Sequence, residues 1–136
     1  MNCSVLVVDD EYDIRQLLTT MLSMMGYQSY MAQDGLEALE KISEYQPDIL
    51  ILDVMMPRMD GLTLCRHLRG DEATATLPII MLSGKAHHEA IQEGLNAGAN
   101  RYMVKPTGLD ELTRNITEVL AESNHTSVVP KDKIEA

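Results

Sequence analysis

The sequence predicts an α/β fold, a doubly wound sheet of five parallel strands with helices on both faces. Three observations carry this prediction. Short apolar runs alternate with longer amphipathic segments five times along the chain. Several runs are nearly unbroken Val, Ile and Leu, as expected for strands buried on both faces. Turn and cap residues separate the elements.

The apolar runs are Cys3–Val8, Gln28–Met31, Ile49–Leu52, Ile79–Leu82 and Arg101–Val104. The first helical segment, about residues 12–25, places Ile14, Leu17, Leu18, Met21 and Leu22 on one stripe at helical spacing. Gly26 follows, where a left-handed cap ends a helix. Segments near 35–45 and 60–69 start at Asp34-Gly35 and Asp60-Gly61. Pro78 stands at the mouth of the fourth run, where a missing N–H is tolerated. The fourth helical segment covers about 86–97. The fifth covers about 108–122, with Leu109, Leu112, Ile116, Val119 and Leu120 on its stripe. Repeated βα units with right-handed crossovers build a parallel sheet. At a length near 120 residues they suit the flavodoxin-like order 2-1-3-4-5, which gathers ligands at the carboxyl ends of strands one, three, four and five. Residues 1–122 then form one domain. Residues 123–136, with few large apolar side chains and one Pro, read as a flexible tail or a linker stub.

A chain of 136 residues suits one domain. It has no Trp and no Phe, so Leu, Ile, Val and ten Met residues must fill the core. A Met-rich partner surface is the sharper alternative for the methionines. The net charge of −10 lies almost wholly before residue 123. An acidic domain repels phosphate backbones, so direct nucleic-acid binding is not expected. Cys3 and Cys65 make neither a disulfide framework nor a metal cluster, and read as buried thiols in a reducing compartment. No basic leader precedes the first run, and no stretch reaches the length of a membrane span. A cytoplasmic location without membrane contact is the expectation.

The chemistry collects at the strand ends. Asp9 and Asp10 follow the first strand, Asp53 the third, Ser83 the fourth and Lys105 the fifth. Each alone has an ordinary explanation: Asp9 and Asp10 as caps of the first helix, Ser83 as cap of the fourth, Lys105 as a solvated surface lysine. Their joint placement on one sheet edge does not. Two carboxylates about 4 Å apart repel by roughly 4 kcal/mol at an effective dielectric near 20. Three of them call for a cation or a raised pKa, and Mg²⁺ takes one or two carboxylates together with waters and phosphate oxygens. An acidic Mg²⁺ site beside a lysine suits phosphoryl transfer, with one carboxylate as the nucleophile.

Val7-Val8-Asp9-Asp10-Glu11, Leu52-Asp53-Val54-Met55-Met56-Pro57 with Asp60-Gly61, Met81-Leu82-Ser83-Gly84 and Lys105-Pro106 resemble the signature stretches of bacterial response-regulator receiver domains, the chemotaxis regulators among them. The resemblance covers about residues 3–122, in order and at family-like spacing. It implies a phosphorylation switch rather than an enzyme, able only to phosphorylate itself from a donor and slowly dephosphorylate. Asp53 would accept a phosphoryl group from a phosphohistidine of a sensor histidine kinase or phosphotransfer protein. Asp10, Asp53 and the backbone carbonyl of Met55 would bind Mg²⁺, with Asp9 acting mostly through a metal-bound water. Lys105 and Ser83 would contact phosphoryl oxygens. Ser83 and the aromatic Tyr102 would move together, changing the surface of helix four, strand five and helix five for a downstream protein or an output domain missing from the sequence. The Lys105–Pro106 bond would be cis. Monomer and phosphorylation-dependent dimer are both compatible with the sequence.

Some positions depart from particular receiver subfamilies. Met55 stands where some receivers carry a polar residue that helps position hydrolytic water, and Lys85 is the alternative neighbour of the phosphoryl group. A long-lived phosphoaspartate is expected. Asn100-Arg101 and Thr107 replace the acidic pair and the Phe common in transcription-factor receivers, which puts their shared dimer mode in doubt.

Other readings fit less well. A flavodoxin needs a hydroxyl- and Gly-rich phosphate loop where this chain is acidic. A dehalogenase-type phosphohydrolase needs an acid/base Asp where Met55 stands. His88-Glu89 begins a zinc-protease pattern, but Gln92 occupies the second His position, and His87 and His88 read as exposed. The competing readings within signalling are a receiver excised from a longer regulator or hybrid kinase, and a docking module that is never phosphorylated.

Overall fold

The computed structural model describes residues 3–132, with side chains for residues 3–123. Five strands alternate with five helices: β1 (Ser4–Val8), α1 (Tyr12–Met24), β2 (Gln28–Ala32), α2 (Gly35–Tyr45), β3 (Ile49–Leu52), α3 (Gly61–Gly70), β4 (Ile79–Ser83), α4 (His88–Ala97), β5 (Arg101–Val104) and α5 (Leu109–Asp132). All pairings are parallel and the order is β2-β1-β3-β4-β5, as the sequence predicts.

The alternation of side chains along the strands divides the core into two layers. Leu6, Val8, Leu50, Leu52, Ile79 and Met81 point to the face covered by Ala38 and Ile42 of α2, Leu64 and Leu68 of α3 and Ala97 of α4. Val5, Val7, Ile49, Ile51, Ile80 and Leu82 point to the opposite face, under Leu18, Met21 and Leu22 of α1 and Leu112, Ile116 and Val119 of α5. The central strands β3 and β4 are buried throughout, whereas the edge strands β2 and β5 are partly open. This is why the central runs are unbroken apolar and the edge runs are mixed.

The expected punctuation holds at three helices. Gly26 takes φ +87° after α1. Asp34 and Asp60 cap α2 and α3 by accepting from the N–H groups of Glu37 (2.9 Å) and Thr63 (2.8 Å). The last helix differs from its expected end near 122. It continues to Asp132, into the segment read as a tail. No Gly or Pro lies between Leu109 and Val129, so nothing in that stretch stops helix propagation. Cys65 is buried as expected, while Cys3 is only partly covered; neither is in a disulfide.

Candidate functional site

The sheet itself brings the acidic residues together. Asp53 N–H donates to the carbonyl of Val8 (2.9 Å), so the first residue past β3 lies beside the first residue past β1. Asp9 N–H donates to Ala32 (3.1 Å) and Lys105 N–H to Ser83 (2.8 Å), extending the same ladder across the edge. Four loops therefore leave four adjacent strands with their polar side chains converging.

Asp9, Asp10 and Asp53 each offer a carboxylate oxygen, and these oxygens lie within 4.8 Å of one another. Asp9 and Asp53 are buried, at 2% and 6% exposure, while Asp10 faces solvent. Lys105 Nζ lies 2.7 Å from Asp9 Oδ2 and 3.5 Å from Asp53 Oδ2. Three carboxylates against one ammonium leave a formal excess of two negative charges. Burial, with the neighbouring Asp9 charge, pushes the Asp53 carboxyl up to about 6, against the pull of Lys105. Burial lowers the Lys105 ammonium, but Asp9 and Asp53 outweigh it and hold the group above its ordinary value. Hard carboxylate oxygens with excess negative charge, on an edge open to solvent through Asp10, form a set that a divalent cation such as Mg²⁺ fits.

The cap position of α1 is Glu11, which makes no side-chain cap bond; Asp9 Oδ1 instead accepts from the Glu11 N–H (2.9 Å). Ser83 is fully buried and does not cap α4, whose cap residue is His87. Its Oγ accepts from the Lys85 N–H at 3.2 Å. Lys105 is not a solvated surface lysine. The Lys105–Pro106 bond is cis.

Tyr102 stands on β5 with its hydroxyl donating to the Lys85 carbonyl (2.8 Å). Its ring lies against α4 at Gly94, where a Cβ would come within 2.7 Å of it. Ser83 and Tyr102 thus hold the same residue of the β4–α4 loop, one by its N–H and one by its carbonyl. The side chains of Lys85 and Met55 are exposed, and the Met55 N–H points at Asp53 Oδ1 over 3.4 Å.

Several contributors escaped the sequence reading. Gly61 N–H donates to the Val54 carbonyl (2.9 Å), and a Cβ at Gly61 would collide with the Asp53 carbonyl. The start of α3 therefore closes on the end of β3 only because the residue is Gly. Asp60-Gly61 marks a helix start and belongs to the receiver-like signature, but the close backbone approach itself has no local signature. Arg15 Nη1 donates to the Asp9 carbonyl (2.7 Å), a contact from the first turn of α1 back to the end of β1 that the apolar stripe of α1 does not reveal. Asp34, read only as a cap, also binds Arg58 through Oδ2.

The family pattern described as response regulator receiver domain matches residues 5–117. Response regulator MprA of Mycobacterium tuberculosis is 41% identical over 136 residues, covering 100% of this chain and 56% of that protein. MprA of Mycobacterium ulcerans is 45% identical over 122 residues, covering 88% of this chain and 51% of that protein. The chain thus spans about half the length of these curated relatives. Among solved structures, Vibrio cholerae chemotaxis protein CheY4 superposes with a TM-score of 0.82 at 35% identity, covering 88% of this chain and 99% of that one. NtrX from Brucella abortus superposes with a TM-score of 0.89 at 32% identity, covering 96% of this chain and 29% of that one. The fold, the acidic edge and these matches together establish that the chain belongs to the response-regulator receiver family of two-component signalling.

Proposed function

We propose that Asp53 is the phosphoacceptor of this receiver. A carboxylate oxygen of Asp53 attacks the phosphorus of a phosphohistidine on a sensor histidine kinase or phosphotransfer protein. The P–N bond breaks, and the released imidazole takes a proton. One observation carries this assignment: Asp53 is a buried carboxylate held between Asp9 and Lys105. Near neutral pH it is still mostly ionised, as a nucleophile must be, because its pKa is raised only to about 6.

Asp10, Asp53 and the Met55 carbonyl would hold Mg²⁺, with Asp9 beside them. The ion would offset the carboxylate charge and that of the incoming phosphoryl oxygens. Lys105, already touching both buried carboxylates, is placed to meet a phosphoryl oxygen. Ser83 Oγ has a donor proton to give to another. When it turns toward the phosphoryl group, the Lys85 N–H loses its acceptor, and the loop whose carbonyl holds Tyr102 is freed to rearrange. That links a local charge to the surface of α4, β5 and α5, a coupling of about 1–3 kcal/mol in typical switches. A downstream protein, or an output domain on the same polypeptide, receives the change. Arg101 is engaged within the chain by Glu118 and Glu122, which supports a departure from the shared transcription-factor dimer. Exposed Met55, whose thioether has no proton to give and accepts only weakly from water, supports a long-lived phosphoaspartate.

Intact-mass analysis after incubation with acetyl phosphate and Mg²⁺ tests the assignment. Wild type gains a single phosphoryl mass that requires Mg²⁺, and Asp53→Asn gains none. A wild type that stays unmodified and binds no beryllofluoride would instead point to a docking module.

A further inference from the structure

We propose that Asp34 and Arg58 form a clamp that aims the Met55 carbonyl at the metal position, which makes both of them positioning residues. The proposal rests on the Mg²⁺ reading above. Met55 lies in the loop between β3 and α3 (residues 53–60), and its own side chain is 56% exposed, so it does little to anchor the carbonyl. The loop is pinned at both ends instead. At its start and finish, Gly61 N–H holds the Val54 carbonyl.

In its middle, Arg58 donates from Nε (2.9 Å) and Nη2 (2.5 Å) to Asp34 Oδ2. Asp34 is only 4% exposed, and its other oxygen is committed to the Glu37 N–H at the start of α2. That N–H, with the Arg58 guanidinium, holds the Asp34 carboxyl below its ordinary range despite burial. Arg58 itself sits at φ +66°, a left-handed conformation that a long side chain avoids unless its surroundings impose it. The next residue, Met59, lies on the next residue of the other loop: a Cβ at Gly35 would come within 2.7 Å of Met59 Cβ and its carbonyl. Two consecutive residues of the metal loop are thus seated on two consecutive residues at the start of α2. The unfavourable φ and the fork onto a buried carboxylate belong together, because the left-handed turn is what carries the guanidinium to Asp34 and fixes the path of the chain three residues after Met55.

A purely structural clamp would stabilise the fold and leave the metal site alone. Calorimetric titration of the full chain with Mg²⁺ separates the two roles. The variants are Asp34→Asn, Arg58→Gly, Arg58→Asn and the double Asp34→Asn/Arg58→Asn. Asn keeps the α2 cap, and both Gly and Asn accept the left-handed backbone. Each single variant is expected to weaken Mg²⁺ binding about tenfold, as lost partners behind a metal ligand do. The double variant should lose no more than either single, because both act through one contact. Wild-type Mg²⁺ affinity in the singles, whatever their melting temperatures, would overturn the clamp. So would losses that add in the double. A wild type that binds no Mg²⁺ at millimolar concentration would instead overturn the metal reading beneath it.

Discussion

At the amino edge of the sheet, Asp48, Arg69 and Asn100 each close a backbone group that the regular structure leaves open. Asp48 Oδ2 accepts from the Ser4 N–H (2.8 Å) at the start of β1. Asn100 Oδ1 accepts from the Ile79 N–H (2.8 Å) at the start of β4. Arg69 donates to the Gly98 carbonyl (2.9 Å) past the end of α4. At the carboxyl edge the carboxylates are crowded together instead. Asp9, Asp10 and Asp53 crowd against one another with Lys105 as the ammonium among them. Cavities of about 480 Å³ beside His67 and Leu77, and about 580 Å³ beside Arg69 and Asn100, lie toward the amino edge, away from the acidic cluster. Neither of these two cavities marks the chemistry. Unfavourable crowding of charge does, because a polar group that serves the fold is satisfied and a group that serves chemistry waits for something outside the chain.

The contrast implies opposite signs for mutations at the two edges. Asn100→Ala orphans the N–H of fully buried Ile79 and should cost about 2 kcal/mol, read as a lowered urea midpoint, with phosphoryl transfer from acetyl phosphate unchanged. A loss of transfer would erase the division between the edges.

Asp53→Asn should stabilise the metal-free protein by about 1–2 kcal/mol near pH 7, allowing for solvent screening through the Asp10 side. The sign follows from linkage. The folded-state pKa of about 6 exceeds the ordinary 3.8, so any stability from this group is present below about pH 4 and is lost as pH rises through about 6. Thermal melts near pH 4 and pH 7 should show the gain of Asp53→Asn growing with pH. Equal gains would mean that ionisation is not the cause.

The smallest effect on the fold is expected at exposed Met55. Met55→Asn should leave stability within about 0.5 kcal/mol. It should shorten the phosphoaspartate lifetime several-fold, timed by loss of the phosphoryl mass. An unchanged lifetime would remove Met55 from control of hydrolysis.

The strand and helix periods are local properties, and they placed the ten elements within a few residues except at the end of α5, which runs on to Asp132. The strand-end rule then named the acidic cluster, because a parallel ladder with Val8 beside Leu52 must set Asp9 beside Asp53. Contacts between loops were not legible. Asp34 and Arg58 are 24 residues apart, each with an ordinary local reading, and only the packing of one loop on the other joins them. Lys85 gave no hint that its two backbone groups would be held by Ser83 and Tyr102 from separate strands.

The sequence by itself determined the order of elements, the two-sided burial of the central strands and the residues at the carboxyl ends, since periodicity and chain order are enough for these. Tertiary structure decided which oxygen meets which ammonium, which carboxylate is desolvated and which loop is seated on which helix start. Those outcomes depend on distances of a few ångströms across the sheet edge, and electrostatic and hydrogen-bond energies vary too steeply at that range for residue type and spacing to fix them.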